Sequence, residues 1–137
     1  MSSDSELWWT GETAVKMEQS VLGSVLIAGN SVLLKVEAAV GPQDFMVDSH
    51  RLIFEAIQSV AHSGADPDLI LVTYELAKQG RLERAGGPAF ISMLVDRIPC
   101  VESAGEYAKR VHECSIMRRI KGITKGGTGS EWMRSRS

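Results

Sequence analysis

Apolar residues in this chain return every three or four positions, segment after segment, and each segment closes on glycine or proline. Ala14, Met17, Val21, Leu22, Val25 and Ala28 share one helical face, and Gly29-Asn30 breaks it. Ser31 is placed to cap a second helix carrying Leu33, Val36 and Val40, which Gly41-Pro42 stops. The ring of Phe45, in the connection after it, is expected to anchor beneath the loop. Asp48 is the expected N-cap of a third helix with Ile53, Phe54, Ile57, Val60 and Ala61 in a stripe that Gly64 ends.

The run Leu69-Ile70-Leu71-Val72-Thr73-Tyr74 is locally ambiguous, because a short β-branched stretch also suits a strand. Helix is favoured: the pattern continues to Lys78-Gln79-Gly80, and no second strand is in sight to complete a sheet. Asp66-Pro67-Asp68 reads as a turn with Asp68 capping the helix after it, which leaves acid-base chemistry as the lesser reading of the two acids. Gly86-Gly87-Pro88 opens a fifth helix with Phe90, Ile91, Met93, Leu94 and Ile98 on its apolar side, ahead of Pro99. Ser103-Ala104-Gly105-Glu106 has capping-box spacing, and Tyr107, Ala108, Val111, Cys114 and Ser115 line one face of the last helix. The expected fold is all-α, a compact bundle of about six helices over residues 13–121. A flexible segment, 1–12, precedes it, and a Gly-rich basic tail, 122–137, comes after it.

Charge divides the chain. Residues 1–108 hold seven of the 15 Lys and Arg against 15 of the 17 acids, whereas residues 109–137 hold eight basic residues against Glu113 and Glu131. An acidic body is a poor general binder of nucleic acid, since phosphate contacts supply most non-specific affinity. The basic end has two readings: a contact for nucleic acid or an acidic partner, or a solvated helix end complementing the helix dipole. Cys100 and Cys114 are too few for a disulfide framework or a zinc site. The acidic start lacks the basic and apolar regions of a secretory signal, and no apolar run nears the roughly 18–20 residues of a membrane span, so a cytoplasmic address with no membrane partner is expected.

Catalytic motifs are missing. Gly122-Ile123-Thr124-Lys125-Gly126-Gly127-Thr128 is the nearest approach to a phosphate-binding loop, with glycine where the lysine must stand and no strand before it. His50 and His62 lie more than three helical turns apart and His112 is remote in sequence, so hydrogen-bonded helical histidines are expected rather than ligands. Arg51 reads either as a partner contact or as a packing and hydrogen-bonding residue beside Ile53 and Phe54. Glu18-Gln19-Ser20 is placed on the outer face of the first helix, and mid-helix Gly23 is expected to permit a close crossing. Trp8 and Trp9 either pack back on the domain or mark a partner-binding patch.

Five short signatures stand in order: Glu18-Gln19-Ser20-Val21-Leu22-Gly23-Ser24, Asp44-Phe45, His50-Arg51-Leu52-Ile53-Phe54, Gly86-Gly87-Pro88-Ala89-Phe90 and Tyr107-Ala108. Together they resemble the N-terminal domain of bacterial replicative DNA helicases of the DnaB type, over roughly residues 17–120. The resemblance implies a small helical domain that precedes a RecA-like ATPase, forms part of a ring-shaped collar and receives primase. No catalytic, cofactor-binding or metal residue is implied here, because ATP and magnesium belong to the motor. Implied partners are a second copy of the chain, in a dimer or ring, the primase C-terminal domain and a helicase loader, with DNA contact weak or indirect. The last helix resembles the first arm of the helical hairpin through which family members pair, which points to Tyr107, Val111, Cys114 and Arg118 as partner-interface residues. The second arm is not found after it, and a truncated or frame-shifted C-terminus is expected. Two other functions compete: a free-standing regulator that mimics the collar and competes for primase or helicase, and a small DNA-binding helical domain using the basic end.

Overall fold

The computed structural model describes residues 8–97 and 101–124. Among them are six α-helices and no strand: α1 (Glu12–Ala28), α2 (Asn30–Glu37), α3 (Asp48–His62), α4 (Leu69–Lys78), α5 (Gly87–Asp96) and α6 (Ala104–Thr124). Short 3-10 turns, Pro42–Asp44 and Val101–Ser103, lead toward α3 and α6. The ambiguous run from Leu69 is helical, with the Asp68 carboxylate accepting from the Leu71 N–H at 2.8 Å as a cap.

The bundle is built around α1. Every residue from Ser20 to Leu26 is buried, so this helix is enclosed on nearly all sides rather than along one stripe. α2, α3, α5 and α6 pack against it, and α4 packs on α3 and α5. The core runs from Val21, Leu22 and Val25 through Ile53, Phe54 and Ile57 to Ala108 and Val111. Phe45 is 1% exposed, its ring centroid 5.0 Å from that of Phe54, so the loop anchor is seated as expected.

Enclosure of α1 overturns one expectation. Glu18 and Ser20 are not on an outer face: both are buried, Glu18 at 1% exposure. The periodic pattern marks positions that must be apolar, and a polar residue met by buried partners satisfies the same packing.

The capping details also shift. Ser31 lies inside the first turn of α2 and its hydroxyl donates back to the Ala28 carbonyl. The Asn30 N–H is instead satisfied by Asp66 Oδ1 at 2.7 Å, from a turn 36 residues away. Gly29 makes this possible, since its φ is +77° and a Cβ there would collide with the Asp66 carboxylate. α2 ends at Glu37, and Val40 reaches the core from the turn beyond it. Asp48 is the first residue of α3, not its cap; Val47 holds the cap position. Gly86, with φ +105°, starts α5 beneath the Phe90 ring, where a Cβ would fall 2.6 Å from Phe90 Cδ2.

At the chain's edges, Gly122 does not stop α6, which continues to Thr124. Residues 8–11 form a turn that Arg118 of α6 ties down through the Trp9 carbonyl, and residues 1–7 of the expected N-terminal segment fall outside the described residues. The expectations for Ile98, Pro99 and Cys100, and for the tail from Lys125 with most of its loop-like stretch, fall outside the described residues. No helix among the described residues is long and apolar enough to cross a membrane.

Candidate docking surface

A buried carboxylate organises the entry to α3. Glu18 accepts from the Met46 N–H at 2.8 Å and from the Val47 N–H at 3.5 Å, and Glu18 Oε1 lies 2.7 Å from His50 Nδ1. Backbone donors at the start of a helix have no partner within it, so a carboxylate from α1 acts as their cap from outside the segment. His50, also 1% exposed, donates through Nδ1 and stacks on Phe90 with centroids 6.0 Å apart and planes 8° off parallel. Three of the five signatures thus meet at one buried cluster.

That cluster sets Arg51 at the surface. Its guanidinium donates to Asp48 Oδ1 at 3.0 Å and to the Phe45 carbonyl at 3.1 Å. Asp48 is shared with Arg84, whose Nη2 lies 3.2 Å from Oδ2.

α6 supplies the facing wall. Ala104, Ala108, Val111 and Cys114 turn inward, and one turn on Arg118 donates to the Trp9 carbonyl at 2.9 Å and the Asp44 carbonyl at 2.8 Å. One guanidinium therefore ties α6 to both the N-terminal turn and the loop before α3. The Asp44 carboxylate is occupied elsewhere, by the Gly41 N–H at 2.9 Å and His112 Nδ1 at 3.3 Å. Trp8 and Trp9 pack edge to face with centroids 5.6 Å apart, and Lys121 Nζ stands 6.0 Å from the Trp9 ring. The pair packs back on the domain, while Trp8 keeps 46% of its surface exposed. Burial pushes the Cys114 thiol up from its ordinary pKa, with the Arg118 charge opposing the shift.

Between these walls lies a recess of about 380 Å³, lined by Gln43, Phe45, Met46, Arg51, Ser115, Arg118 and Arg119. Apolar side chains are also exposed elsewhere, Ile27 on α1 and Leu34 on α2 among them. Ile116 and Ile120, one turn apart on α6, are 37% and 49% exposed. Ile70 and Tyr74 on α4 are exposed beside an apolar groove shared with Pro88 and Ser92 of α5.

The four residues expected to meet a partner separate here. Val111 and Cys114 are 1% and 2% exposed and pack in the chain's own interior. Tyr107 is half-buried against the core, and Arg118 is half-buried and committed to two carbonyls. The apolar face of α6 is the one that packs on α1, whereas the exposed apolar step is Ile116–Ile120 on a different side. Its signal in the sequence was two isoleucines four apart, off the main stripe. Among the described residues no three His, Cys, Asp or Glu side chains gather as a metal cluster.

Comparison with known proteins places this geometry in a family. Residues 12–113 match the model of the DnaB-like helicase N-terminal domain. The replicative DNA helicase DnaB of Leifsonia xyli is 39% identical over 103 residues, covering 75% of this chain and 22% of that protein. The DnaB helicase of Geobacillus stearothermophilus is 36% identical over 107 residues, covering 78% of this chain and 23% of that protein. This chain therefore spans about a fifth of the length of these relatives. The crystal structure of the N-terminal domain of DnaB helicase from Mycobacterium tuberculosis superposes with a TM-score of 0.76 at 31% identity, covering 79% of this chain and 78% of that one. A DnaB-like replicative helicase, described with its interactions with primase, shares the fold at a TM-score of 0.67 and 20% identity, over 80% of this chain and 26% of that one. The chain belongs to the DnaB-like helicase N-terminal domain family.

Proposed function

We propose that this chain is a non-catalytic docking domain of the replicative helicase machinery, working in the cytoplasm, that assembles with copies of itself and receives primase. The observation that carries the reading is the outer step of α6. Ile116 and Ile120 stand exposed one turn apart on a helix whose inner face is already spent on the core. Apolar side chains at that spacing form the narrow seam along which two helices pair. Primase enters from the related helicase described with it, which has the same fold. The reading assigns the chain no cofactor: ATP turnover and strand separation are assigned to a motor domain of the kind that the relatives' greater length accommodates.

Sedimentation equilibrium of the pure chain tests the pairing. A concentration-dependent dimer or larger ring is expected, and Ile116→Glu with Ile120→Glu should return it to monomer with unchanged helical circular dichroism. A monomer at every concentration, or assembly indifferent to both substitutions, removes the pairing step. Robust ATP turnover by the pure chain sinks the non-catalytic assignment.

A further inference from the structure

The recess between the start of α3 and α6 carries more positive charge than the fold neutralises. Three guanidiniums line it, from Arg51, Arg118 and Arg119. Arg118 is held in place by two backbone carbonyls, which fix its direction without neutralising it. Arg51 is held by Asp48, but that carboxylate also serves Arg84. Arg119 makes no ion pair among the described residues. Two buried acids lie behind the recess wall and are engaged there, Asp44 by the Gly41 N–H and His112, and Glu18 by the Met46 N–H and His50. At the recess surface one shared carboxylate therefore stands against three guanidiniums, the buried acids behind it being committed to other partners.

We propose that this recess is an acceptor for a carboxylate side chain of a protein partner, an Asp or Glu presented beside an apolar residue that seats on Met46. Each guanidinium offers five N–H donors in a planar fork, and those left over on Arg51, Arg118 and Arg119 suit the two oxygens of a carboxylate. Arg51 and Arg118 are pre-positioned by their backbone contacts, so little side-chain freedom is lost on binding. A single acidic side chain is favoured over nucleic acid because only the α6 wall of the recess belongs to the basic stretch: its α3 wall lies within residues 1–108, which hold 15 acids against seven bases, so a polyanion running off the recess on that side meets like charge. The inference rests on the docking reading for the nature of the occupant, a protein, and adds the chemistry by which the partner is recognised.

The test uses the full chain and a blocked Leu-Glu-Leu peptide, with Leu-Gln-Leu and a short oligo-dT as parallel probes, read by NMR of the arginine side-chain N–H groups. The Glu peptide is expected to shift the resonances of Arg51, Arg118 and Arg119 saturably, with affinity falling as salt rises from about 0.05 to 0.3 M. Arg119→Glu should weaken it about tenfold or more, since it replaces a charge-assisted contact by repulsion. Arg119 is exposed, so this variant keeps the fold, which its circular dichroism checks. Equal shifts with the Gln peptide, or none with either, overturn the proposal; tighter binding of oligo-dT at the same recess overturns its choice of a protein. Primase binding that survives Arg119→Glu keeps the docking reading and removes the recess as its receptor. A wild-type chain that takes the Glu peptide but not primase does the reverse.

Discussion

Replacing Glu18 by alanine tests whether the buried carboxylate organises the α1–α3 contact. Glu18 is 1% exposed and holds the Met46 N–H at 2.8 Å and His50 Nδ1 at 2.7 Å; the 3.5 Å contact to Val47 is too long to count heavily. Alanine leaves the buried His50 donor and the part-buried Met46 N–H without an acceptor, at about 1–3 kcal/mol each, the second toward the lower end. The lost stem methylene packing adds about 1 kcal/mol. Water entering the vacated space recovers part of this, which leaves about 3–5 kcal/mol, a large share of the roughly 5–15 kcal/mol that holds a domain folded. Urea unfolding followed at 222 nm reads it: with an m-value of about 1–3 kcal/mol per M, the midpoint falls by roughly 2 M. Glu18→Gln keeps the shape and one good acceptor but turns an amide donor toward another donor, so it should fall between wild type and alanine. In the cycle with His50→Ala, the two losses should couple by at least about 1 kcal/mol, because they share one hydrogen bond. An alanine midpoint within about 0.3 M of wild type refutes the reasoning.

Other substitutions probe separate parts of the account. The Ser24 hydroxyl is buried with no hydrogen-bond partner, so Ser24→Ala should stabilise by about 0.5–1 kcal/mol in the same urea assay. Phe45→Ala removes a buried ring packed on Phe54 and should cost about 3–5 kcal/mol, read as a lowered melting temperature. Asp66→Ala should cost about 1 kcal/mol through the lost α2 cap, and Gly29→Ala should cost more, since it both strains a positive φ and displaces the same carboxylate. For Cys114 the raised thiol pKa means that the folded state holds its proton more tightly than the unfolded chain. Its contribution to stability is therefore full below the unfolded thiol pKa and is lost as pH rises through the folded one, and in a Cys100→Ser background the thiol should react with a disulfide reagent only at the rate of unfolding.

The helices were legible because their cause is local. Periods of three and four, Gly and Pro stops and the Asp68 cap depend on neighbours in sequence, and even the ambiguous Leu69 run was settled by its continuation to Gly80. What was misplaced depended on distant residues. Glu18 looked external because a carboxylate usually is, and only the arrival of Met46, Val47 and His50 from 28–32 positions away makes it internal. Asp66 looked like a turn residue, yet it caps a helix 36 positions back. The face of α6 was read correctly as apolar, but whether it meets a partner or the chain's own α1 is a tertiary question, and Val111 and Cys114 answer it for the core. No period in the sequence marks Ile116 and Ile120, because two residues off the main stripe carry none of their own.

Titration calorimetry of the cognate primase C-terminal domain into the pure chain tests the docking claim most directly. Saturable heat is predicted, with a dissociation constant on the order of 10 µM or tighter. No heat beyond dilution at concentrations up to about 1 mM, from a chain whose circular dichroism shows it folded, contradicts it.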